Sequence, residues 1–390
     1  MKKTLVVAAL TGVFATAANA QSSVTLYGLI DAGVTYTNNV RTSAAGAAIN
    51  GGHRYALQSG GINGSRWGLR GAEDLGGGLK AIFQLENGFS VANGAFAQQG
   101  REFGRQAFVG LSSSQWGTAT LGRQYDSVVD FMGPLALTGT GYGGTFAAHP
   151  YDNDNLDNSF RISNSIKFSS ANYNGLKFGG LYGFSNNANG FSTNRAYSGG
   201  VSYSYAGFNF AGAYMQLNNS LSSATTALGT TGAVTDAPIA AGKQRTFGGG
   251  VNYAFGPAVV GFVFTQSKFE NTDAVTGANL AAIPTGAYLR FNNYEVNARY
   301  NVTPAWNVSA QYTFTQARES GFAGGDESPK YHTASVMSSY SLSKRTDVYV
   351  EGVYARVSGT SNLGGAMING LGQSTTDKQI AATVGVRHRF

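Results

Sequence analysis

Cysteine is absent from the 390-residue chain. That excludes disulfides, thiolate metal sites and a lipid-modified cysteine anchor. Only four histidines occur, His53, His149, His332 and His388, and no two stand at a metal-ligand spacing. There is no dense Lys/Arg stripe, and an exported chain rarely meets a genome, so nucleic acid is set aside as a partner. No apolar run reaches the 18 or so residues that a transmembrane helix needs. Proline and tryptophan number seven and three, against 55 glycines, 24 phenylalanines and 21 tyrosines. The mean hydropathy of −0.13 resembles that of a soluble protein. It averages two unlike faces if each strand shows lipid one side and water the other.

The first twenty residues read as a secretory signal. Lys2 and Lys3 precede an apolar stretch, Leu5 to Phe14, and Ala18-Asn19-Ala20 fits the small-x-small cleavage pattern. The mature chain is then one domain, residues 21–390, and loss of the two lysines takes the formal net charge from +7 to +5.

Period-two alternation, the mark of half-buried strands, fills the remainder. Val24, Leu26, Ile30 and Val34 share one parity, and Thr25, Tyr27, Asp31 and Thr35 the other. Phe247, Val251, Tyr253 and Phe255 face away from Asn252, and Trp306, Val308, Tyr312 and Phe314 from Asn307, Gln311 and Thr315. Short turns (Gly76 to Gly78, Ser113 to Trp116, Gly256-Pro257, Thr303-Pro304) trade places with long polar loops. The long ones lie near Asn39 to Gly60, Ser90 to Gly104, Ser220 to Lys243, Asn271 to Thr285, Gln316 to Pro329 and Ser358 to Asp377. Short turns at one end, long loops at the other and strands ending on aromatics describe an all-β, antiparallel up-and-down transmembrane barrel of about sixteen strands. A soluble β-sandwich would alternate as well, but would not combine this strand number with a signal peptide and a terminal Phe390. In lipid a sheet can have no free edge, so the first and last strands should pair.

The alternation fails from Asp126 to about Ser159. A loop this long is functional or disordered, and it is expected to fold into the barrel mouth and narrow it. Gly139-Thr-Gly-Tyr-Gly-Gly144 satisfies the G-x-G-x-x-G string, but no helix follows and no βαβ unit surrounds it. The glycines are expected instead to let the loop bend and pack against the wall. Asp126, Asp130, Asp152, Asp154 and Asp157 could hold a divalent cation, but no Asp-x-Asp-x-Asp-Gly…Glu loop is present. Solvated or arginine-paired acids are the expectation.

Gln21-Ser-Ser-Val-Thr-Leu-Tyr-Gly28, Ser65-Arg-Trp-Gly-Leu-Arg-Gly-Ala-Glu-Asp-Leu-Gly-Gly-Gly-Leu-Lys80, Thr120-Leu-Gly-Arg-Gln-Tyr125, Leu342-Ser-Lys-Arg-Thr-Asp-Val-Tyr349 and Val384-Gly-Val-Arg-His-Arg-Phe390 resemble the Gram-negative general-diffusion porins of β-proteobacterial type. The resemblance runs from Gln21 to Phe390. It implies a homotrimer of sixteen-stranded barrels in the outer membrane, each with its own pore and with the loop after strand five folded inward. It implies contact with outer-membrane lipid and lipopolysaccharide, and that Ser90 to Gly104 reaches over a neighbouring subunit. It makes Phe390 a signal to the barrel-assembly machinery. It places the constriction arginines on Arg66, Arg105 and Arg161. The family's acid on the inward loop has no certain counterpart, and Asp130 is the position chosen.

Strand parity agrees that Arg66 and Arg161 face the lumen, since an arginine facing mid-bilayer would cost roughly 2–4 kcal/mol. Arg105 shares the parity of Val109 and Leu111, so either a bulge resets its face or it lies above the membrane. Arg70, Lys80, Glu86, Lys167, Arg387 and Arg389 are further lumen charges by parity, as are the acids Asp31, Asp74 and Glu295. Arg123 falls on the lipid parity and is expected to be paired at or near a subunit contact. The function expected is passive diffusion of small hydrophilic solutes and ions with modest anion preference, without catalytic residue, cofactor or metal. A substrate-specific channel, a plugged structural barrel and an outer-membrane barrel enzyme are the alternatives.

Overall fold

The structure is a computed structural model that describes residues 23–42, 50–188, 190–218, 232–278 and 283–390. The expected signal segment, 1–20, lies outside the described residues. The strands are β1 (Ser23–Arg41), β2 (Gly51–Ser59), β3 (Arg66–Gly76), β4 (Leu79–Gly88), β5 (Gln106–Ser113), β6 (Gly117–Gln124), β7 (Ile162–Ser170), β8 (Leu176–Gly183), β9 (Ala196–Tyr205), β10 (Phe208–Asn218), β11 (Ile239–Phe255), β12 (Ala258–Val275), β13 (Ala287–Asn301), β14 (Trp306–Ser320), β15 (Lys330–Ser341), β16 (Thr346–Ser358) and β17 (Lys378–Arg389). Each pairs antiparallel with its neighbours in one 17-segment sheet.

β2 and β3 are two parts of one stave. β2 pairs with the upper part of β1 (Ala32↔Ser59 to Arg41↔Gly51) and β3 with the lower part (Ser23↔Ala72 to Leu29↔Arg66). Counting them together gives the closed sixteen-strand barrel. The sheet closes where β17 meets β1, from Leu29↔Arg389 to Thr37↔Ala381. The carboxy-terminal residue completes the seam: Phe390 N–H donates to Gly28 O at 3.1 Å and Gly28 N–H to Phe390 O at 3.0 Å. Gly28 is required there, because a Cβ would stand 2.3 Å from the Phe390 ring.

Polarity is inverted relative to a soluble protein. Val24, Leu26, Val34, Val109, Val336, Val350 and Val384 are exposed on the outer surface, while Asp31, Thr35, Glu86, Thr265, Thr313 and Glu351 are buried within. Strands reach further toward the long-loop end than the alternation indicated: β2 lies inside the expected loop 39–60, and β1 continues to Arg41. Beyond the lipid, neither face of a strand has to be apolar, so the pattern that marks a strand lower down fades.

Two segments leave the wall for the interior. The short one, 60–65, interrupts the second stave. The Asp31 carboxylate holds it, accepting Ile62 N–H at 3.0 Å and Asn63 N–H at 2.7 Å, and also takes the Tyr349 hydroxyl at 2.6 Å. The long one runs from Tyr125 to Arg161 in single helical turns, including Val128–Met132 and Gly133–Leu135. It follows the fifth stave, as the resemblance implied.

Candidate functional site: the lumen constriction

The long loop lies against one half of the wall. Its first two turns insert Val128, Met132 and Leu135 into an apolar cluster with Leu181, Met215, Leu217 and Val263 from β8, β10 and β12. Further on, Phe146 and Tyr151 join Phe269, Leu289, Phe291, Tyr331 and Val353. Between these clusters the contact is polar and dry. His149 is fully buried between two carboxylates, with Nδ1 2.6 Å from Asp154 Oδ2 and Nε2 3.0 Å from Glu295 Oε2 on β13. Glu295 Oε1 also accepts Leu137 N–H at 2.8 Å, and Gln311 Nε2 donates to Ala147 O at 2.5 Å. Burial alone would lower the His149 imidazolium, but Asp154 and Glu295 outweigh it and push its pKa up to about 10.

The glycine string does what close approach requires. Gly144 has φ +56° and ψ −155°, a combination open in practice only to glycine. A Cβ there would lie 2.1 Å from Ile62 O. The long loop and the short inward segment therefore touch backbone to backbone, and Thr145 N–H donates to Gly61 O at 3.2 Å.

Opposite the loop the wall is charged. A cavity of about 260 Å³ is lined by Arg66, Arg105 and Arg161 together with Asn63, Asp157 and Asn158. Arg66 opens β3 and donates from Nε to Gly64 O at 2.9 Å. Arg105 stands one residue before β5, where its N–H donates to Glu86 O at 3.1 Å. Its guanidinium is buried inside, with Nε 2.6 Å from Glu86 Oε1 and an Nη 2.7 Å from the Tyr125 hydroxyl. The strand parity does not govern it, because the ladder begins at the next residue. Arg161, also just outside its strand, donates to Asn158 Oδ1 at 2.8 Å and lies over the Tyr125 ring at 5.2 Å.

Tyr125 is therefore the hub, with its hydroxyl accepting from one arginine and its ring beneath another. The chain of contacts continues along the wall. Glu86 accepts the Tyr27 hydroxyl at 2.9 Å, Gln84 Nε2 donates to that hydroxyl at 2.7 Å, and Arg70 lies 5.1 Å from the Tyr27 ring centroid. Sequence reasoning gave no part to Tyr27 or Tyr125.

Asp130 does not share the arginine cavity. Its carboxylate meets Lys167 Nζ at 2.5 Å, and it lines a different space with Phe131, Lys177 and Arg299. The acid beside the arginines is Asp157. Burial and the neighbouring Asp152 charge hold its carboxyl up, at about 8, against hydrogen bonds from Thr138 and Thr145 and the pull of Arg161. Asp126, Asp152 and Asp154 are neither solvated nor arginine-paired. Asp126 Oδ1 accepts Val128 N–H at 2.7 Å, Asp152 accepts the N–H groups of Asp157 and Ser159 at 3.0 Å each, and Asp154 accepts the Thr265 hydroxyl at 2.5 Å. They are turn caps and anchors.

The other expected lumen charges divide. Lys80 is exposed beside the short turn, opposite Asp74 in the β3–β4 ladder. Arg387 is buried: Nε is 3.0 Å from Asp347 Oδ1, and an Nη binds Asn63 Oδ1 and, at 3.2 Å, Gly141 O. It fastens both inward segments to the closing strand. Arg389 shares Asp347, at 2.7 Å. Asp31 and Glu295 are likewise spent on backbone and loop. Arg123 has its partners within the chain, on Asp236, on Gly104 O at 2.8 Å and on Ser163 Oγ at 2.8 Å, because a register shift between Gly122 and Gln124 carries it under the loops. Arg101 and Gln99, from the loop expected over a neighbouring subunit, bond Thr235 of the same chain at 2.7 and 3.0 Å.

The closed sixteen-strand barrel is found in known proteins. The family model for the Gram-negative porin matches residues 4–360. An outer membrane porin protein of Bordetella pertussis is 35% identical over all of both chains, and outer membrane porin protein 32 of Delftia acidovorans is 30% identical, again end to end. Among solved structures, the anion-selective porin from Comamonas acidovorans superposes with a TM-score of 0.71 at 26% identity, covering 95% of this chain and 100% of its own. Sequence and barrel architecture agree, and the chain belongs to the Gram-negative porin family of the outer membrane.

Proposed function

We propose that the barrel passes small hydrophilic solutes and ions by passive diffusion, with a modest preference for anions set at the slot between the long loop and the arginine wall. The observation that carries this is the charge count there. Arg66, Arg105 and Arg161 face one cavity, Glu86 is paired to Arg105, and Asp157 is held above the usual carboxylate range. The slot is net positive at neutral pH, in a channel whose low-dielectric walls focus the field. The relatives named as porins, one of them anion-selective, support the same reading. No catalytic step belongs to it.

Planar-bilayer recording of the refolded mature chain tests it. A channel whose conductance grows with bulk salt, together with liposome swelling in neutral sugars, is expected. A closed barrel, or one that swells liposomes with a single solute only, would overturn it. Three-step closure under voltage is expected of the proposed homotrimer. Phe390 is proposed as an assembly signal: its deletion should leave export across the inner membrane intact and reduce outer-membrane insertion.

A second reading, a channel selective for organic anions, is favoured by the Arg70–Tyr27–Glu86–Arg105–Tyr125–Arg161 chain. Guanidinium groups at successive heights could hand an anion inward. Saturation of anion flux at low concentration would distinguish it from simple diffusion.

A further inference from the structure

On the short-turn side of the long loop the lumen holds a second cavity, of about 430 Å³, that shares no residue with the arginine slot. Asn172 and Gly175 of the turn between β7 and β8 line it, and so does Phe131 of the loop. The wall is bare where that ring rests. A Cβ on Gly200 of β9 would stand 2.4 Å from the ring, and one on Gly179 of β8 would stand 3.3 Å from it. Phe131 is therefore seated against the sheet on one side and, half-buried, turns the other side to the cavity.

Two cations line the same space without a carboxylate of their own. Lys177 on β8 is exposed, and Arg299 on β13 lies over the Tyr142 ring at 4.9 Å. Neither has an ion-pair partner among the described residues. The acid that lines the cavity, Asp130, is taken by Lys167, so the lining is net positive. Between the two cations a polar row crosses the wall. Ser204, Asn209 and Asn252 stand opposite one another on β9, β10 and β11. They are bonded in series: Ser204 Oγ donates to Asn209 Oδ1 at 2.6 Å, and Asn209 Nδ2 to Asn252 Oδ1 at 2.9 Å. Asn252 Nδ2, at the end of the series, has no acceptor among the described residues.

An aromatic face, a run of amides and hydroxyls and two unpaired cations together fit an acidic sugar. The C–H face of a pyranose packs on an aromatic ring. Its hydroxyls exchange hydrogen bonds with amides and hydroxyls, and its carboxylate or phosphate takes charge-assisted bonds from lysine and arginine. A plain inorganic anion would leave the ring and the polar row unused, and a neutral sugar would leave the cations unused. We propose that this cavity is a saturable subsite for a monosaccharide bearing a carboxylate or a phosphate, on the periplasmic side of the loop, where the short turns lie. The subsite rests on the diffusion reading only for the solute's access to the lumen.

Saturation-transfer NMR of the full mature porin in neutral detergent, titrated with glucose monophosphate, glucuronate or glucose and with inorganic phosphate as competitor, tests it. Binding is read without transport. A porin that conducts but binds none of these sugars overturns the subsite alone, and a closed barrel that binds them overturns the diffusion reading alone. Wild type should bind both acidic sugars about tenfold or more above glucose, the value of one hydrogen bond to a charged group. Lys177→Gln should weaken both acidic sugars about tenfold and bring them toward glucose. Phe131→Leu should weaken all three sugars. Lys177 is exposed and unpaired, so its variant reports even where the loop does not tolerate the change at Phe131. Glucose binding as tightly as glucuronate, or phosphate displacing glucose monophosphate at equal concentration, would overturn the proposal. So would loss of the acidic sugars in Arg66→Gln with Arg161→Gln but not in Lys177→Gln, which would place them in the slot.

Discussion

The two sides of the lumen are built on opposite principles. Along β8 to β16 the wall is covered by the long loop, and what lies between is dry: apolar clusters and the buried His149 between Asp154 and Glu295. Along β3 to β7 the wall is open, and of the guanidinium groups lining the slot Arg105 is held by Glu86 and the Tyr125 hydroxyl and Arg161 by the Tyr125 ring. The difference teaches how a fixed slot is made from a loop without regular structure. The loop is locked on the side where it touches the wall, so charge can be left incompletely compensated on the side it faces. Arg387 joins the two, since it holds Asn63 of the short inward segment and Gly141 of the long loop.

The comparison breaks most severely at the lock. Glu295→Ala leaves His149 buried with one of its two carboxylates gone. Removing a partner from a buried ion pair costs about 3–5 kcal/mol. The unfolding midpoint should fall, and open-channel current should become noisy as the loop detaches. A quiet channel of unchanged stability would mean that the apolar clusters hold the loop unaided. Gly144→Val attacks the contact between the inward segments. The backbone conformation alone costs about 1–3 kcal/mol for a residue other than glycine, and the Ile62 backbone must also move. A changed conductance with selectivity retained is expected, read from single channels.

The open side is sharpened by pH. Asp157 has its carboxyl raised to about 8, so it is neutral below that value and adds a negative charge above it. Anion preference should therefore decline as pH rises from about 6 to 9, and Asp157→Asn should remove most of that decline. A preference that grows with pH would place the titrating group elsewhere. The smallest effect belongs to Lys167→Met. It strips Asp130 of its partner, but away from the arginine cavity, so reversal potentials should move less than for any change at Arg66 or Arg161.

Much of this was legible in the sequence. Alternation located the wall, its failure located the inward loop, and strand parity assigned Arg66 and Arg161 to the lumen. Parity speaks only within a regular ladder: Arg161 stands one residue outside β7, as Arg105 does outside β5, so its agreement with the parity there was fortuitous, and Arg123 sits at the register shift between Gly122 and Gln124. Asp130, the position chosen for the inward-loop acid, lies away from the arginine cavity for a related reason. The loop doubles back through left-handed residues at Tyr151, Asp152, Asn155 and Asn158, with φ between 43° and 65°, which brings Asp157 to the arginines and leaves Asp130 beside Lys167. The Asn/Asp run from Asp152 to Asn158 was the available signal, because those residues tolerate that conformation best. Long-range partners such as Glu295 for His149 leave no local mark. Neither does a tyrosine whose ring and hydroxyl serve two arginines.

The most direct measurement is the reversal potential of the channel in a gradient of dilute salt, for wild type and for Arg66→Gln with Arg161→Gln. At 0.1 M the Debye length is about 10 Å, and at 1 M about 3 Å, so a positive slot should act strongly in the first and weakly in the second. Wild type should show modest anion preference that fades with salt, and the double variant should lose most of it at low salt while the barrel stays folded. Strong cation selectivity in wild type, or a double variant indistinguishable from it at low salt, would contradict the assignment of selectivity to the arginine wall.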